Sequence, residues 1–407
     1  MILFSNCSLL VPGESSLREG HHVLIEDGRI REVSERAIAA NGAEVIDLAG
    51  KTLMPGLIDC HVHVIATMLD FARNAKLPNA QIAYAILAPL KAMLARGFTT
   101  VRDAGGADAY IAKALEDGLI AGPRIFPSGK ALSQTGGHGD LRARGERLCA
   151  CGDLERLGLL SRIADGADAV RIAAREELQK GATQIKIMAS GGVASPADRI
   201  ESLQYSLDEI QTAVAEAQAQ NTYVLAHAYT APAIRRAIDC GVRTIEHGNL
   251  IDDETARRMH ELGAYAVPTL ITYDGLAEHG TRLGLPLESV AKIDRVRTAG
   301  LASLEIFRRA GVKMAYGSDL LGELQQLQGH EFVLRAQVLP AAEVIKSATV
   351  IGAEVLKMEG RLGVIAPDAI ADLLVVDGDP LKNIALLDGQ GEHLPIIMQA
   401  GRFYKRS

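Results

Sequence analysis

A repeated junction between helix and strand is the feature that most constrains the fold of this chain. In the middle of the sequence, a stretch of helical composition ends at a glycine and an apolar strand-like segment follows at once. Glycine readily adopts the left-handed conformation that ends many helices. The junction glycines are Gly97, Gly181, Gly241, Gly263 and Gly311. With further apolar segments near residues 57–63, 123–128 and 222–227, the pattern gives eight strands alternating with helices, which predicts an α/β fold of the parallel (β/α)8 barrel (TIM-like) type.

The two ends of the chain have a different pattern, which is typical of β structure. Residues 22–33 contain two short apolar runs around Asp27-Gly28, a strong signal for a β-hairpin. Residues 2–11, 43–48, 371–378 and 395–398 are further strand candidates. We therefore predict a small β-sandwich domain built from both termini, residues 1–55 and 358–407, and a barrel formed by residues 56–357.

The composition excludes several classes of function. The chain has 43 Lys+Arg against 50 Asp+Glu and no basic block, which argues against nucleic acid as a partner. No apolar run approaches the roughly 20 residues of a membrane helix, and residues 1–6 lack the features of a signal peptide. We therefore expect no membrane partner and a cytoplasmic location. The odd number of cysteines, 5, indicates reduced thiols, and Cys149 and Cys151 are expected to be inert.

Polar side chains end the apolar strands of the predicted barrel. His61 and His63 are two residues apart, so on a strand both imidazoles face the same side. Because the carboxyl ends of barrel strands meet at one mouth, all such side chains are expected to converge. The candidates are His61, His63, Lys186, His227, His247 and Asp319. Together they have the composition of a zinc-type hydrolytic site.

Each of these residues also has a simpler interpretation. A histidine on a strand is often a hydrogen-bonded core residue, and a lone lysine such as Lys186 often extends its amine to solvent. Asp319, in Gly317-Ser318-Asp319, could cap the following helix. The shared position of all the candidates at strand ends favours a metal centre over these alternatives.

The motifs resemble those of the amidohydrolase superfamily, over nearly the whole chain. Residues 55–63 are similar to the opening strand of that superfamily. Residues 133–139, 185–193, 225–229 and 245–249 are similar to prolidase-like members (Xaa-Pro dipeptidases and carboxypeptidases) of its imidazolonepropionase-related branch. Enzymes of this kind cleave aminoacyl- or acyl-proline, near relatives remove C-terminal arginine or lysine, and others hydrolyse amides such as ochratoxin.

The resemblance implies a centre of two divalent metal ions. The histidine pair of the first strand and Asp319 would hold one ion, and His227 and His247 the second. Lys186 would bridge both ions as a carbamate formed with carbon dioxide. Zinc is the favoured ion, although imidazole and carboxylate ligands also accept cobalt or manganese. A lysine at strand four favours the two-metal subgroup over the mononuclear deaminases.

The resemblance further implies hydrolysis of a peptide or amide bond to a C-terminal amino acid by a metal-bridging hydroxide. Asp319 would move the proton from the hydroxide to the leaving amine. His138, in the glycine-rich segment after strand three, would stabilise the oxyanion, unless it is a loop histidine with no role. Tyr229 would contact the substrate carboxylate or oxyanion. The expected partner is a small molecule, a dipeptide or N-acyl amino acid, and homo-oligomers such as octamers are expected.

The sequence does not identify the amino acid that is released, because proline, basic and aromatic residues would need different pocket walls. The alternatives are an amidase acting on an aromatic amino-acid amide such as ochratoxin A, an Arg/Lys carboxypeptidase, and a mononuclear deaminase or cyclic-amidine hydrolase of the same superfamily. A metal-free structural relative is disfavoured, because such a protein has no need of a complete ligand set.

Overall fold

A computed structural model gives the structure of residues 1–142, 156–195, 198–285 and 287–407. Cys149 and Cys151 lie outside these ranges, and Cys7, Cys60 and Cys240 are free thiols within them. In the part of the chain that the structure covers, we find no helix with the length and apolar character needed to cross a bilayer.

Strands and helices alternate through most of the chain. The strands are β1 (Ile2–Leu9), β2 (Arg18–Glu26), β3 (Arg29–Ser34), β4 (Glu44–Asp47), β5 (Thr52–Pro55), β6 (Leu57–Val62), β7 (Phe98–Asp103), β8 (Arg124–Pro127), β9 (Ala131–Ser133), β10 (Ser161–Ile163), β11 (Ile185–Met188), β12 (Val224–Thr230), β13 (Thr244–Leu250), β14 (Tyr265–Val267), β15 (Leu373–Val376), β16 (Ile396–Gln399) and β17 (Arg402–Arg406). The helices are α1 (Phe71–Asn74), α2 (Asn79–Ala85), α3 (Leu87–Ala95), α4 (Ala109–Glu116), α5 (Ala167–Gln179), α6 (Leu207–Ala219), α7 (Ala231–Asp239), α8 (Asp253–Glu261), α9 (Leu270–His279), α10 (Leu287–Ala310), α11 (His330–Arg335), α12 (Ala341–Ser347) and α13 (Val350–Val355). Short 3-10 segments cover Gly322–Leu327 and Ile384–Leu387.

The two chain ends contribute strands to one sheet. Its strands are hydrogen-bonded in the order β17-β16-β15-β5-β1-β2-β3, and β4 also pairs with β1. The hairpin between β2 and β3 turns at Asp27 and Gly28, whose φ angles of 49° and 77° suit a type I′ turn. The β5–β15 pairing joins the N-terminal and C-terminal halves, with Leu53 opposite Val375. A hydrophobic cluster separate from the main core lies against this sheet.

The strands in the middle of the chain pair in parallel. They form two sheets, β6-β7-β8 and β10-β9-β11-β12-β13-β14. The eighth predicted strand, near residue 314, forms an isolated parallel bridge between Met314 and Ala266 of β14. On its other side the Cys60 N–H of β6 donates to the Tyr316 carbonyl at 2.7 Å. This segment therefore lies between β14 and β6, although its hydrogen bonds do not build a ladder. The prediction of mixed α/β structure is confirmed.

Helix ends and one long connection complete the comparison with the sequence. All five junction glycines have positive φ, between 66° and 95°. The sequence predicts two long connections, residues 130–152 and 270–300, but the second of these contains α9 and the first part of α10. It is helical because its apolar residues pack inward; Leu270, Tyr273 and Leu276 are buried. The other expected long connection, residues 130–152, is described only as far as residue 142.

Candidate metal centre

The strand-end side chains selected from the sequence line one pocket. This pocket is open to solvent, and its empty space, with the open solvent at its mouth included, is about 700 Å³. It is bordered by His61, His63, Lys186, His227, His247 and Asp319, and also by His138 and Tyr229. All of these candidates therefore border the same space, although they come from widely separated parts of the chain.

Asp319 lies at the centre of the histidines. Its Oδ1 is 3.4 Å from His61 Nε2 and 3.3 Å from His63 Nε2, and its Oδ2 is 3.9 Å from His247 Nδ1. One ligand atom from each of His61, His247 and Asp319 lies within 4.8 Å of the other two. Burial alone would raise the pKa of Asp319, but the neighbouring imidazoles hold it well below its usual range. Asp319 is therefore an anionic oxygen donor surrounded by imidazole nitrogens.

Asp59 holds the Asp319 segment against β6. Its carboxylate accepts hydrogen bonds from the His61 N–H (3.0 Å), the Ser318 hydroxyl (2.6 Å) and the Gln328 amide (2.9 Å). In addition, the Asp319 N–H donates to the His61 carbonyl at 2.8 Å. Two distant parts of the sequence are thereby fixed side by side, although Asp59 itself does not border the pocket.

A buried ion pair fixes the ring of His61. Its Nδ1 lies 2.6 Å from Glu246 Oε2, and both oxygens of Glu246 accept from Arg102 Nη2 at 2.9 Å. The Arg102 Nε donates to the Cys60 carbonyl at 2.6 Å. Burial opposes ionisation, but Arg102 and His61 hold the pKa of Glu246 far below its usual range. A carboxylate on one ring nitrogen fixes an imidazole for ligation through the other.

The other histidines are oriented by neutral acceptors. Nδ1 of His63 contacts the Gly105 carbonyl at 2.9 Å, and Nδ1 of His247 contacts the Thr269 hydroxyl at 2.8 Å. Both rings therefore present Nε2 for a ligand. His227 is reversed, because its Nε2 lies 3.2 Å from the Gly191 carbonyl and its Nδ1 is left for a ligand.

Lys186 is a buried amine without a direct partner. It is 1% exposed, and within the described ranges its Nζ makes no hydrogen bond or ion pair. Burial lowers the pKa of Lys186 to about 8, and burial also lowers the pKa of both His227 and His247 well below the usual range. Imidazoles, a carboxylate and a lysine with a lowered pKa are a donor set that fits divalent metal ions.

His138 and Tyr229 border the pocket beside these donors. The His138 ring stacks on His227, with ring centroids 4.3 Å apart and planes 19° apart. The Tyr273 hydroxyl donates to the Tyr229 hydroxyl at 2.8 Å, so the Tyr229 hydroxyl keeps its own proton to donate. Tyr273 was not predicted from the sequence. Its place in the apolar pattern of residues 270–276 was the only sequence signal for it.

We expect Gly192→Ala to displace the His138 ring and lower kcat by roughly tenfold, the loss typical of a misplaced supporting group. A Cβ at Gly192 would lie 2.2 Å from His138 Cε1, far inside van der Waals contact. Steady-state kinetics and the thermal unfolding midpoint check this prediction. Gly275→Ala is the matched control, because its nearest neighbour would be a Leu327 methyl at 3.3 Å. Wild-type kcat in Gly192→Ala would contradict a role for the ring.

A parallel α/β fold with imidazole, amine and carboxylate groups at its strand ends is typical of metal-dependent hydrolases. An amidohydrolase family model matches residues 52–399. Ochratoxinase of Aspergillus niger is 31% identical over 412 residues, which cover 98% of this chain and 85% of that protein. A solved prolidase in complex with N-methylphosphonate-L-proline is 55% identical, with a TM-score of 0.98 and full coverage of both chains. A solved amidohydrolase is 59% identical, with a TM-score of 0.98, covering 100% of this chain and 99% of that one.

The chain therefore belongs to the amidohydrolase family, and its relatives are of the prolidase-like kind. It is a hydrolase of amide or peptide bonds, in a metal-dependent family, and its substrate is a small molecule.

Proposed function

We propose that the protein is a binuclear metal-dependent hydrolase that releases a C-terminal amino acid from a dipeptide or an N-acyl amino acid, with proline as the favoured leaving residue. The observation that carries the proposal is the convergence of imidazoles, Lys186 and Asp319 on one pocket. The 55% identity to a prolidase bound to a proline phosphonate supports the choice of leaving residue.

The donor set divides between two metal positions. One ion would be held by His61, His63 and Asp319. The second ion would be held by His227 and His247. Lys186, carboxylated to a carbamate, would bridge the two ions. Zinc is the ion that we favour. Bound there, the ions would polarise the amide carbonyl and make water a stronger nucleophile at neutral pH. This division is supported by the ring orientations: Nε2 of both His61 and His63 is turned toward Asp319, and Nδ1 of His227 is left for a ligand.

The protein's own groups then move the proton and hold the substrate. Asp319, ionised and within 3.4 Å of two imidazoles, would accept the proton of the attacking water and deliver it to the leaving nitrogen. His138 would donate to the carbonyl oxygen as negative charge develops there. The Tyr229 hydroxyl, which accepts from Tyr273, would donate to the substrate carboxylate or to the same oxygen.

The pocket wall supports an apolar group next to the cleaved bond. The apolar side chains on the wall are Phe71, Leu141, Leu160, Met188, Val193, Leu276 and Leu321. Proline fits such a wall. An aromatic amino acid also fits it, and the 31% identity to ochratoxinase makes an aromatic amino-acid amide the second candidate substrate. Arginine or lysine is less favoured as the leaving residue. Among the described residues that border the pocket, Asp319 is the only acidic side chain, and it is already assigned to a metal position.

The fold that we propose around this pocket is a closed (β/α)8 barrel of residues 56–357. It is supported by the hydrogen bonds of residues 313–316 to both β14 and β6. Residues 1–55 and 358–407 would form the separate small β-sandwich domain. Its own hydrophobic cluster supports this division, and so does the forked pairing of β1 with both β4 and β5.

A panel of dipeptides and N-acyl amino acids tests the function with the zinc-loaded protein, scored by the amino acid released. We expect N-acyl-L-proline and Xaa-Pro dipeptides to give the highest kcat/KM, with activity lost in chelator-treated protein and restored by the metal. Preference for N-acyl-phenylalanine would support the second candidate. Release of ammonia from an aminopurine, or ring opening of a cyclic amidine, without release of an amino acid, would contradict both.

A further inference from the structure

Asp198 is a buried carboxylate beside the pocket that belongs to neither proposed metal position. It is 7% exposed, and its Oδ2 lies 3.3 Å from His138 Nδ1. The same oxygen accepts from the Gly192 N–H and from the Gln204 side-chain amide, both at 3.1 Å. A buried carboxylate that closely approaches one nitrogen of a pocket histidine is the arrangement by which many proteins aim the other nitrogen.

Lys292 of α10 fixes the segment that carries this carboxylate. Its ammonium donates to the carbonyls of Gly192, Ser195 and Asp198 at 3.1, 2.6 and 2.6 Å. It also lies 3.5 Å from Asp198 Oδ1. One cation from a neighbouring helix thus holds both the carboxylate and the backbone that packs against His138.

The His138 ring is confined on its remaining sides. One face stacks on His227, and the Gly192 backbone leaves no space for a Cβ beside Cε1. The backbone N–H of His138 donates to the side-chain oxygen of Gln204 at 2.8 Å. Nδ1 is buried and, among the described residues, makes no hydrogen bond of regular geometry, so the Asp198 carboxylate at 3.3 Å is the charged group that faces it. Because the ring borders the pocket, Nε2 is the nitrogen that is left to face a substrate.

We propose that Asp198, anchored by Lys292, is a positioning residue that aims His138 Nε2 at the substrate carbonyl. This inference rests on the role proposed above for His138. It assigns to the segment after β11 a function in the reaction that does not depend on holding a metal.

Kinetics of Asp198→Ala, Asp198→Asn and His138→Gln test the proposal with the zinc-loaded enzyme and its best substrate from the panel. We expect Asp198→Ala to lower kcat by about 10- to 100-fold, with KM changed less than about threefold. Asp198→Asn should recover most of kcat, because an amide still fills the site and offers an oxygen to Nδ1. In the His138→Gln background, Asp198→Ala should cost nothing further. Metal content should be unchanged throughout.

Asp165→Ala is the matched control. Asp165 accepts hydrogen bonds from Thr135, in the same segment as His138, but it is exposed and not recorded against the ring. We expect its kcat to be that of the wild type. Wild-type kcat in Asp198→Ala would overturn the proposal, and so would an equal loss in the His138→Gln background. Loss of metal or of thermal stability that Asp198→Asn fails to reverse would also overturn it.

Crystal structures of the zinc-loaded wild type and Asp198→Ala separate this proposal from the proposed function. They need no substrate, so they decide the positioning role even if the panel yields no amino acid. We expect the His138 ring to rotate away from its wild-type orientation in Asp198→Ala. An unchanged ring would overturn the positioning role, whatever the substrate is.

Discussion

Asp319→Asn is expected to lower kcat by about 10³- to 10⁴-fold, the upper range for loss of a general acid–base group. The carboxylate of Asp319 lies within 3.4 Å of two imidazoles, which hold its pKa well below the usual range. It is therefore ionised and placed to take a proton at the start of the reaction. An amide at the same position cannot accept and return a proton.

The fold should survive this substitution. Asp319 has a φ of 51°, in the left-handed region, and asparagine is among the residues that tolerate this region best. Its N–H would still donate to the His61 carbonyl. Kinetics, metal content and the thermal unfolding midpoint check the prediction. Asp368→Asn is the matched control, since Asp368 is exposed and also has positive φ (69°). Near-wild-type turnover by Asp319→Asn with its metal retained would contradict the proton-transfer role.

The strand ends were predictable because the sequence carries a physical signal for them. At five junctions a glycine in the left-handed region marks where the helix stops, and the apolar segment that follows marks the strand, so a polar residue near its end is expected at the mouth. The spacing of His61, near the end of β6, and His63, just past that end, likewise brings both side chains to the pocket. These signals are local, so a single sequence is sufficient to identify them.

The alternation of side chains along a strand breaks down at His247. Neighbouring residues on a regular strand face opposite sides. Glu246 follows the regular pattern, but His247 has a φ of 72°, so the chain turns there and both side chains reach His61 or its neighbours. The sequence identified His247 from its distance to Gly241. It gave no sign that Glu246 contacts the ring of His61.

Contacts between distant buried charges were not predictable. Arg102 and Glu246 are 144 residues apart, and Asp198 approaches the ring of His138 from a different part of the chain. Neither contact has a periodic or local signal, because the pairing depends on how the strands and their connections come together in space. The groups that orient the histidines therefore became visible only in the structure, whereas the histidines themselves were predictable.

Lys186→Ala is expected to remove at least one of the two proposed metals and to lower kcat/KM by at least about 10³-fold. The expected loss in kcat/KM follows from the several kcal/mol by which metal ions stabilise such transition states. Each tenfold change in rate corresponds to about 1.4 kcal/mol. Lys186 borders the pocket, is 1% exposed, and burial lowers its pKa to about 8. A neutral amine can react with carbon dioxide to give an anion with two oxygens, whereas an ammonium would repel metal ions.

Lys130 provides the matched control, because it is also buried and burial also lowers its pKa to about 8. Unlike Lys186, its Nζ has partners: it donates to the carbonyls of Arg156 and Leu159 at 2.8 and 2.9 Å. Lys130→Ala should therefore lower the free energy of unfolding by about 1–3 kcal/mol, the cost of leaving buried acceptors unpaired, and keep its metal. Elemental analysis after zinc loading distinguishes the two variants. Two metals per chain in Lys186→Ala would refute the bridging role. Loss of a bridging ligand should lower the metal content, whereas loss of a side chain that only fills space should leave it unchanged.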